Sequence, residues 1–312
     1  MCRRDHIGIG IPQHPVPGSP DAAPLSKRTA AVDIIICVHN ALQSVVVCLQ
    51  SVIDHTSTPY RLIIVNDGSD ESTSTFLRAF ASHYECVLIV NSEALGYTKA
   101  ANIAMASSRG DYALFLNSDT IVSARWLDKL LECAESDNRI GLVGPLSNAA
   151  AYQSVPFTKD DTGRWIENRL PGLVSPGQAD EIIESLSERR FPRVPFLNGF
   201  SLLATRAVIS TVGRFNQNAF PYGYGEEIDY CLRARNAGFE LAVADHLYVF
   251  HARSASYGPD KRIALSAAAR PQLDEIHGAA VLAAARESLY RNPDLALIRR
   301  RFAEALLMRD VG

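Results

Sequence analysis

Residues 111–120 read Asp-Tyr-Ala-Leu-Phe-Leu-Asn-Ser-Asp-Thr, an apolar run followed directly by polar residues. Its short apolar run, Tyr112–Leu116, is typical of a strand that is buried on both faces. The run leads directly into Asn117-Ser118-Asp119. A carboxylate at the carboxyl end of a buried parallel strand lies where open α/β sheets bind their ligands. Asp119 can therefore hold a divalent cation, and through the cation a diphosphate.

A helix cap is the alternative explanation for the same residues. Asp119 or Ser123 could cap a helix that begins near residues 124–126, because both side chains accept hydrogen bonds from free N–H groups of a first turn. Taken alone, these residues favour the cap. Other features of the chain shift the balance from the helix cap towards the ligand site.

Composition excludes several classes of protein. The chain has 312 residues, 47% of them hydrophobic, and a formal net charge of −3. These values suit one large or two small globular domains and give no general attraction to nucleic acid. No apolar run approaches the roughly 20 residues that span a bilayer, and the first residues lack the apolar core of a signal peptide. We therefore expect a cytoplasmic protein. The six cysteines lack the paired short spacings of a zinc site or a disulfide framework.

Strands and helices alternate through the first half of the chain. Apolar runs of strand length occur at 33–38, 61–65, 86–90, 112–116 and 140–143, with amphipathic helical patterns between them. This alternation predicts an α/β fold with a mostly parallel, doubly wound sheet. Such a sheet serves many chemistries, so it does not decide the function.

The second half is less regular. Residues 146–195 are rich in Pro, Gly and polar residues, which is typical of a lid or binding segment, and only 179–188 looks helical. The sequence then predicts a strand at 201–204, a helix at 226–237, short strands at 241–243 and 247–250, and helices from about 261 that are broken at Pro271 and Pro293.

Three predicted parallel strands end in polar clusters: His39-Asn40, Asn66-Asp67 and Asn117-Ser118-Asp119. Because such ends lie side by side in a doubly wound sheet, their side chains should converge on one crevice. Asp67 could accept hydrogen bonds from a base or a ribose. The alternative for Asp67-Gly68 is a simple turn.

Three acids, Glu226, Glu227 and Asp229, crowd the first turn of one predicted helix. The helix dipole favours acids there, and Asp229 is spaced to pair with Arg233. Their mutual repulsion should also raise at least one pKa, as a general base near neutral pH requires. His251 ends a predicted strand and is a candidate metal ligand, although a lone His is more often structural.

Taken together, these residues resemble the family 2 glycosyltransferases, which have the GT-A nucleotide-sugar fold. The matching motifs follow the family's order over about residues 32–258: Ile36-Cys-Val-His-Asn40, Val65-Asn-Asp-Gly-Ser69, Asn91, Leu95-Gly-Tyr-Thr-Lys-Ala-Ala-Asn102, Leu116-Asn-Ser-Asp119, Asn198-Gly199, Gly225-Glu-Glu-Ile-Asp-Tyr-Cys-Leu-Arg233 and Val249-Phe-His251. Each motif is weak alone, whereas the ordered set is specific. Gly-Tyr-Gly-Glu-Glu and the later His-Ala-Arg-Ser-Ala-Ser look most like bacterial enzymes that build surface polysaccharides, some of them rhamnosyltransferases.

The resemblance implies a role for several residues. Asp67 would contact the nucleobase, and the backbone around Val38 would line its pocket. Asp119 would hold Mg²⁺ or Mn²⁺ with His251 as second ligand, and an imidazole suits Mn²⁺ better. Glu227 stands where the family places its catalytic Asp. Further nucleotide-sugar contacts are implied for Asn40, Gly96, Lys99, Asn102, Asn117, Ser118 and Gly199.

Two departures from the family pattern have consequences. Asn117 replaces the first acid of the family's Asp-x-Asp motif, so the metal site has one negative charge fewer and a lower expected affinity. Glu227 is one methylene longer than the family's Asp, which leaves Glu226 and Asp229 as alternative bases.

The resemblance predicts an inverting transfer of a sugar from a UDP- or dTDP-sugar to a hydroxyl of a glycan or lipid-linked acceptor. A single displacement needs no enzyme nucleophile, and segment 146–195 would act as the lid that suppresses hydrolysis of the donor. Two rivals remain: an inactive binding protein of the same fold, and a nucleotidyltransferase. The second usually carries a Gly-rich basic loop near its first strand, which Cys37-Val-His-Asn40 lacks.

The expected organisation is a disordered leader (1–30), a catalytic domain (31–260) with a nucleotide-binding half (31–145) and an acceptor half (146–260), and a helical extension (261–312). In the extension, an apolar helical face is formed by Leu295, Ile298, Phe302 and Leu306 and flanked by Arg299-Arg300-Arg301. Such a face could rest on an anionic membrane at the inner surface of the cell. Packing against the catalytic domain or a second subunit is the alternative that we favour, because amphipathic helices are common in globular proteins.

Overall fold

The computed structural model describes residues 31–172, 174–253 and 259–310. The predicted leader, residues 1–30, and the motif residues 254–256 lie outside the described part of the chain. Where described, no helix is long and apolar enough to cross a membrane.

A seven-stranded sheet forms the centre of the structure, in the order β3-β2-β1-β4-β7-β6-β8. Its strands are β1 (Val32–Val38), β2 (Tyr60–Asp67), β3 (Cys86–Asn91), β4 (Tyr112–Leu116), β6 (Ile140–Leu146), β7 (Ser201–Thr205) and β8 (Glu240–Tyr248). Only β7 runs against its neighbours, so the prediction of a mostly parallel sheet is confirmed. A separate two-stranded ribbon pairs β5 (Thr120–Ile121) with β9 (Phe250–His251).

Helices cover both faces of the sheet. They are α1 (Leu42–His55), α2 (Glu71–His83), α3 (Tyr97–Ser107), α4 (Trp126–Glu135), α5 (Pro176–Leu186), α6 (Arg206–Val212), α7 (Glu226–Asn236), α8 (Pro259–His277), α9 (Ala279–Tyr290) and α10 (Pro293–Asp310). Successive residues of β1 point to opposite faces: Ile34 and Ile36 pack under α1, α2 and α4, and Ile35 packs on the side of α3, α5 and α7. The continuous apolar strands thus have a core on each side, as predicted.

The structure differs from the predicted elements at three points. The helix predicted to break at Pro271 continues to His277 and ends at Gly278, whose φ of 85° is left-handed. The two short strands predicted at 241–250 are mainly one strand, β8, because Asp245 is buried within it as the acceptor of backbone N–H bonds from Arg190 and Phe191. Helix α6 was not predicted.

The segment predicted as a lid is only partly loop. Helix α5 buries Ala179, Ile182 and Ile183 in the core and is held by a buried ion pair, Lys129–Asp180, at 2.8 Å. A buried helix cannot open as a lid without exposing this apolar surface. The irregular part that borders the site is confined to residues 147–172.

The C-terminal helix α10 packs on the sheet domain. The four apolar residues predicted to share a face are all buried against the main core: Leu295, Ile298, Phe302 and Leu306. Arg299 donates to the carbonyls of Tyr152 and Ser154, and Arg301 pairs with Glu188 at 2.6 Å. Packing is therefore the observed use of this face, and a membrane contact through it would require α10 to detach.

Candidate active site

A cavity of about 850 Å³ opens at the carboxyl edge of the sheet. The ends of β1 and β4, the turn before β7, the start of α7 and the C-terminal helices all contribute to its walls. Polar strand ends therefore converge on one crevice, as the sequence predicted. The cavity brings together Val38, Asp67, Asn117, Ser118, Asp119, Gly199, Glu226, Glu227 and His251.

Asp119 and His251 face each other because the β5–β9 ribbon pairs Thr120 with His251. The Asp119 Oδ1 atom lies 3.3 Å from His251 Nε2. His251 Nδ1 lies 3.1 Å from the Ala149 carbonyl, which can only accept, so Nδ1 donates there and Nε2 is the ring nitrogen that faces Asp119. The Phe200 ring stacks on the imidazole at 5.1 Å and fixes its plane.

The cap explanation for Asp119 is wrong. Helix α4 begins after Arg125, which adopts a left-handed conformation with φ 62°, and no side chain caps it. The backbone carbonyl of Ser123 accepts the Trp126 N–H instead. Asp119 is thus left to face the cavity.

The Asp119–His251 pair fits a divalent cation. A carboxylate beside an imidazole whose other nitrogen donates to a carbonyl is a usual arrangement around a metal-binding histidine. Two ligands 3.3 Å apart suit adjacent positions around an ion with bonds of about 2.1 Å. In the part of the chain that is described, no group of three or more His, Cys, Asp or Glu side chains could hold a metal. An ion here would take its other ligands from water and from phosphate oxygens.

Asn148 holds His251 in place, and the sequence analysis missed it. Its Oδ1 accepts the His251 N–H at 2.8 Å, and its Nδ2 donates to the His251 carbonyl at 3.0 Å. Asn168 in turn donates to the Asn148 carbonyl from both its backbone and its side chain. Both residues lie in the irregular segment, where no motif or periodicity marks an individual residue.

Asn148→Ala should weaken binding of Mn²⁺ in the presence of UDP by about 10- to 100-fold, the usual cost of losing a partner that orients a metal ligand. Free Mn²⁺ measured by electron paramagnetic resonance would report the affinity. Asn292→Ala is the matched control, because Asn292 bonds the backbone N–H groups of Asp294 and Leu295 at the start of α10, away from the cavity. Equal affinities of the two variants would contradict a positioning role for Asn148.

Glu226 and Glu227 form a buried carboxyl pair at the start of α7. Both accept the Gly225 N–H, at 3.1 and 3.0 Å, and they hydrogen-bond to each other. Burial raises the pKa of both groups. The charge of Glu227 raises the pKa of Glu226 further, whereas the hydrogen bond from Glu226 partly offsets the rise in the pKa of Glu227. The two carboxyls therefore titrate as a pair and at higher pH than ordinary glutamates, and the pKa of Glu226 is the one raised further.

Glycines allow this close approach. Gly225 has φ 145°, and a Cβ there would lie 2.8 Å from the Phe220 ring. A Cβ on Gly199 would lie 3.1 Å from the Cβ of Glu227. The Asn198-Gly199 motif is thus explained by the room that Glu227 needs.

Asp229 is turned away from the cavity. It is fully buried and pairs with Arg233 at 2.8 Å and with His277 at 3.0 Å. The pair with Arg233 is the one that the sequence predicted, and His277 adds a link from the catalytic helix α7 to α8. Asp229 therefore anchors the C-terminal helices, and Glu226 and Glu227 remain as candidate bases.

Glu226→Gln should change how stability depends on pH. Between its ordinary pKa of 4.5 and its raised folded value, Glu226 holds more proton in the folded than in the unfolded chain, so the wild type loses stability as pH rises. Glutamine keeps a donor and an acceptor but cannot ionise. The melting temperature of the variant should exceed that of the wild type by a margin that widens from pH 5 to 8. Each kcal/mol of difference in the free energy of unfolding corresponds to about 2–4 °C for a domain of 150–250 residues.

Calorimetric scans of both proteins at several pH values would measure this margin. Glu304→Gln, on the exposed side of α10, should give no such trend. A margin that is constant from pH 5 to 8 would contradict a raised pKa at Glu226.

Asp67 supports the loop after β3. Its Oδ1 accepts from Asn91 Nδ2 at 2.8 Å and from the Leu95 N–H at 2.9 Å, and its Oδ2 accepts from the Gly96 N–H at 2.9 Å. A carboxylate has about four acceptor positions, so one remains on the cavity side. The nucleobase contact stays a prediction.

Four residues with predicted donor contacts do not line the cavity. Asn40 joins two strand ends, accepting from the Asp70 N–H at 2.7 Å, and Gly96 precedes α3 with φ 91°. The buried Asn102 amide is bonded to both backbone groups of Phe215. Lys99 lies on α3 outside the lining. The first three stabilise the loops behind the site. Other lining residues lie outside every motif of the sequence: Tyr152, Gln153, Lys159, Trp165, Arg286 and Tyr290.

Comparison with known proteins gives a consistent match. Residues 33–169 match the model of the family described as Glycosyl transferase family 2. The chain is 25% identical over 223 residues to Glycosyltransferase AglE of Haloferax volcanii, covering 70% of this chain and 66% of that protein. It is 25% identical over 205 residues to an uncharacterized glycosyltransferase of Rickettsia bellii, covering 66% of this chain and 26% of that protein. The chain thus spans less than two thirds of the length of either relative.

Two solved structures share the fold. One is GalNAc-T7 with UDP, GalNAc and Mn²⁺, with a TM-score of 0.58 and 16% identity over 90% of this chain and 55% of that chain. The other is the mannosyltransferase PcManGT from Pyrobaculum calidifontis with GDP-Man and Mn²⁺, with a TM-score of 0.51 and 13% identity over 90% and 86% of the two chains. The expected GT-A fold is therefore confirmed.

Proposed function

We propose that the chain is a family 2 glycosyltransferase that moves a sugar from a UDP- or dTDP-sugar to a hydroxyl of a glycan or lipid-linked acceptor in surface polysaccharide synthesis. The match of residues 33–169 to the model of that family supports the proposal. One observation carries the proposal: a single cavity holds a carboxylate–imidazole pair that fits a metal and the adjacent carboxyls of Glu226 and Glu227. The two solved neighbours contain UDP or GDP-Man together with Mn²⁺, which supports a nucleotide-sugar as the donor.

Asp119 and His251 would hold the metal ion, and the imidazole favours Mn²⁺ over Mg²⁺. When bound, the ion would offset the negative charge that grows on the departing nucleoside diphosphate. Asn117 adds no charge to this site, and its Nδ2 lies 3.5 Å from His251 Nε2. We therefore expect the protein to bind the ion with moderate affinity, with the protein and the donor both supplying ligands.

Glu227 takes the proton from the acceptor hydroxyl. The acceptor oxygen bonds to the anomeric carbon as the bond from that carbon to the diphosphate oxygen breaks, and the nucleoside diphosphate leaves with the bonding electron pair. One displacement inverts the anomeric configuration. Glu226 keeps its own proton and donates to Glu227, which orients the base.

Residues 147–172 border the site and would limit the access of water to the bound donor. The proposed lid is therefore the irregular part of segment 146–195, and helix α5 is not part of it. The carboxyl pair favours a transferase over an inactive binding protein, because burying two acids side by side costs stability and would serve no purpose in simple recognition.

The test is release of nucleoside diphosphate from a panel of UDP- and dTDP-sugars with Mn²⁺ and simple glycoside acceptors. We expect turnover of one donor, and a product of inverted anomeric configuration by nuclear magnetic resonance. A product of retained configuration would contradict the single displacement. Transfer of a nucleotidyl group in place of a sugar would support the nucleotidyltransferase.

A further inference from the structure

The cavity continues outward from the carboxyl pair to three aromatic rings. Tyr152 follows β6, Trp165 belongs to the irregular segment, and Tyr290 ends α9. The Tyr152 ring stands edge-on to the other two, with centroids 4.8 Å from Trp165 and 4.9 Å from Tyr290. The planes of Trp165 and Tyr290 are 5° apart, and their centroids are separated by 6.3 Å. The Trp165 and Tyr290 rings are thus nearly parallel, and both contact the Tyr152 ring.

These two rings are unusually open to solvent. Trp165 is 43% exposed and Tyr290 is 40% exposed, although each could bury a large apolar surface. Exposed aromatic side chains in a concave site mark a place where a ligand supplies the missing contact. We call this pair, Trp165 and Tyr290, the aromatic platform.

Charged groups accompany the platform. The Lys159 ammonium lies over both rings, 5.2 Å from the Trp165 centroid and 4.9 Å from that of Tyr290. A ligand that stacks on the same faces would displace this flexible side chain or bond to its ammonium. Arg286 and Glu287, one turn before Tyr290 on α9, also line the cavity. The site therefore combines flat ring faces with hydrogen-bonding groups.

We propose that the aromatic platform binds a sugar ring of the acceptor, which makes the acceptor of this chain a saccharide. A pyranose ring has an apolar C–H face that stacks on an aromatic ring, and a rim of hydroxyls that bond to charged groups. An alkyl chain would satisfy the rings but would cover Lys159, Arg286 and Glu287 without giving them hydrogen bonds, which is unfavourable.

The proposal rests on the proposed function, because the platform shares its cavity with the proposed base, Glu227. It also gives the C-terminal helices a role beyond packing. Tyr290 lies outside the family match, which ends at residue 169, so this part of the acceptor site belongs to the extension. The contact of Asp229 with His277 Nε2 fixes α8, and through α8 the neighbouring α9, relative to α7, which carries the proposed base.

Tryptophan fluorescence tests the proposal without requiring any transfer. The chain has two tryptophans, and Trp126 is fully buried, so a sugar on the platform should change the signal of Trp165 alone. The probes are methyl glycosides of glucose, galactose, mannose and rhamnose, with sorbitol as a polyol that lacks a ring. We expect a saturable change with at least one methyl glycoside, none with sorbitol, and loss of the change in Trp165→Phe.

Variants at Tyr290 separate stacking from other effects. Tyr290→Ala should abolish the saturable change, and Tyr290→Phe, which keeps the ring, should preserve it. Phe157→Ala is the matched control, because Phe157 is 56% exposed and does not line the cavity. With the best methyl glycoside as acceptor, Tyr290→Ala should raise the acceptor KM by about tenfold or more and leave the Mn²⁺-dependent stabilisation by nucleotide unchanged.

Three results would overturn the platform: no methyl glycoside changes the Trp165 signal, Tyr290→Ala responds as the wild type does, or only octyl glycosides respond, which would assign the site to an alkyl chain. Failure of the proposed function is distinguishable from these. A saturable sugar response without turnover of any donor supports the platform and contradicts the transferase, whereas turnover without a sugar response contradicts the platform alone.

Discussion

Glu227→Gln is expected to slow sugar transfer by about 10²- to 10⁴-fold, the range that general base catalysis contributes. Glutamine at 227 fills the same space and can still accept the Gly225 N–H, but its amide cannot take the acceptor proton. Donor binding should be unaffected, because neither predicted metal ligand lies on α7: Asp119 directly precedes β5, and His251 ends β9. Single-turnover rates measure the first effect, and thermal shifts with nucleotide and Mn²⁺ measure the second.

Glu226→Gln identifies which of the two acids is the base. Its amide can donate to Glu227 as the protonated carboxyl does, so the loss of rate should be far smaller than in Glu227→Gln. The reverse order of the two losses would make Glu226 the base. Wild-type rates in both variants would contradict a catalytic role for the carboxyl pair.

Replacement of either predicted metal ligand, by Asp119→Asn or His251→Ala, should lower the transfer rate by about a hundredfold or more, since an ion that stabilises the leaving group contributes several kcal/mol. The dependence on Mn²⁺ should shift to higher concentration in both variants, and a titration of rate against Mn²⁺ measures that shift. A chelator should reduce the wild type to the level of the variants. Unchanged Mn²⁺ dependence in both variants would contradict the assignment of these ligands.

Asn117→Asp is the matched variant in the opposite direction. It adds the negative charge that the family's motif has at this position, beside His251 Nε2. Because affinity for a divalent cation rises with the charge of the ligand set, the variant should need several-fold less Mn²⁺ for half-maximal rate. If the Mn²⁺ concentration for half-maximal rate falls in Asn117→Asp and rises in Asp119→Asn, the two results together would place the ion between these side chains.

The sequence was sufficient to predict the sheet and the convergence of its polar strand ends, because buried parallel strands are continuous apolar runs that end at one edge. It was not sufficient to pair Asp119 with His251 from first principles. Their link is a two-residue ribbon, and two residues carry no detectable periodicity. The family resemblance supplied that pair.

The three acids of α7 illustrate a different limit. Helical geometry turns about 100° per residue, so Glu227 and Asp229 are about 200° apart and face opposite sides. Only the packing of α6 and α8 decides which side of α7 faces the cavity. Asp229 contacts Arg233 and His277, whereas Glu227 lines the cavity. Similarly, Asn148 and the aromatic platform come from segments without motifs, and tertiary contacts alone reveal them.

One measurement tests the central claim, that this cavity binds a nucleotide-sugar through a metal: thermal shifts with UDP, dTDP, GDP and CDP, each with and without Mn²⁺. A ligand at 100 times its dissociation constant stabilises a folded chain by about 2.7 kcal/mol, which is enough to detect. We predict that one nucleotide raises the melting temperature, that it does so only with Mn²⁺, and that Asp119→Asn removes the effect. No response to any of the four nucleotides with Mn²⁺ would contradict the claim.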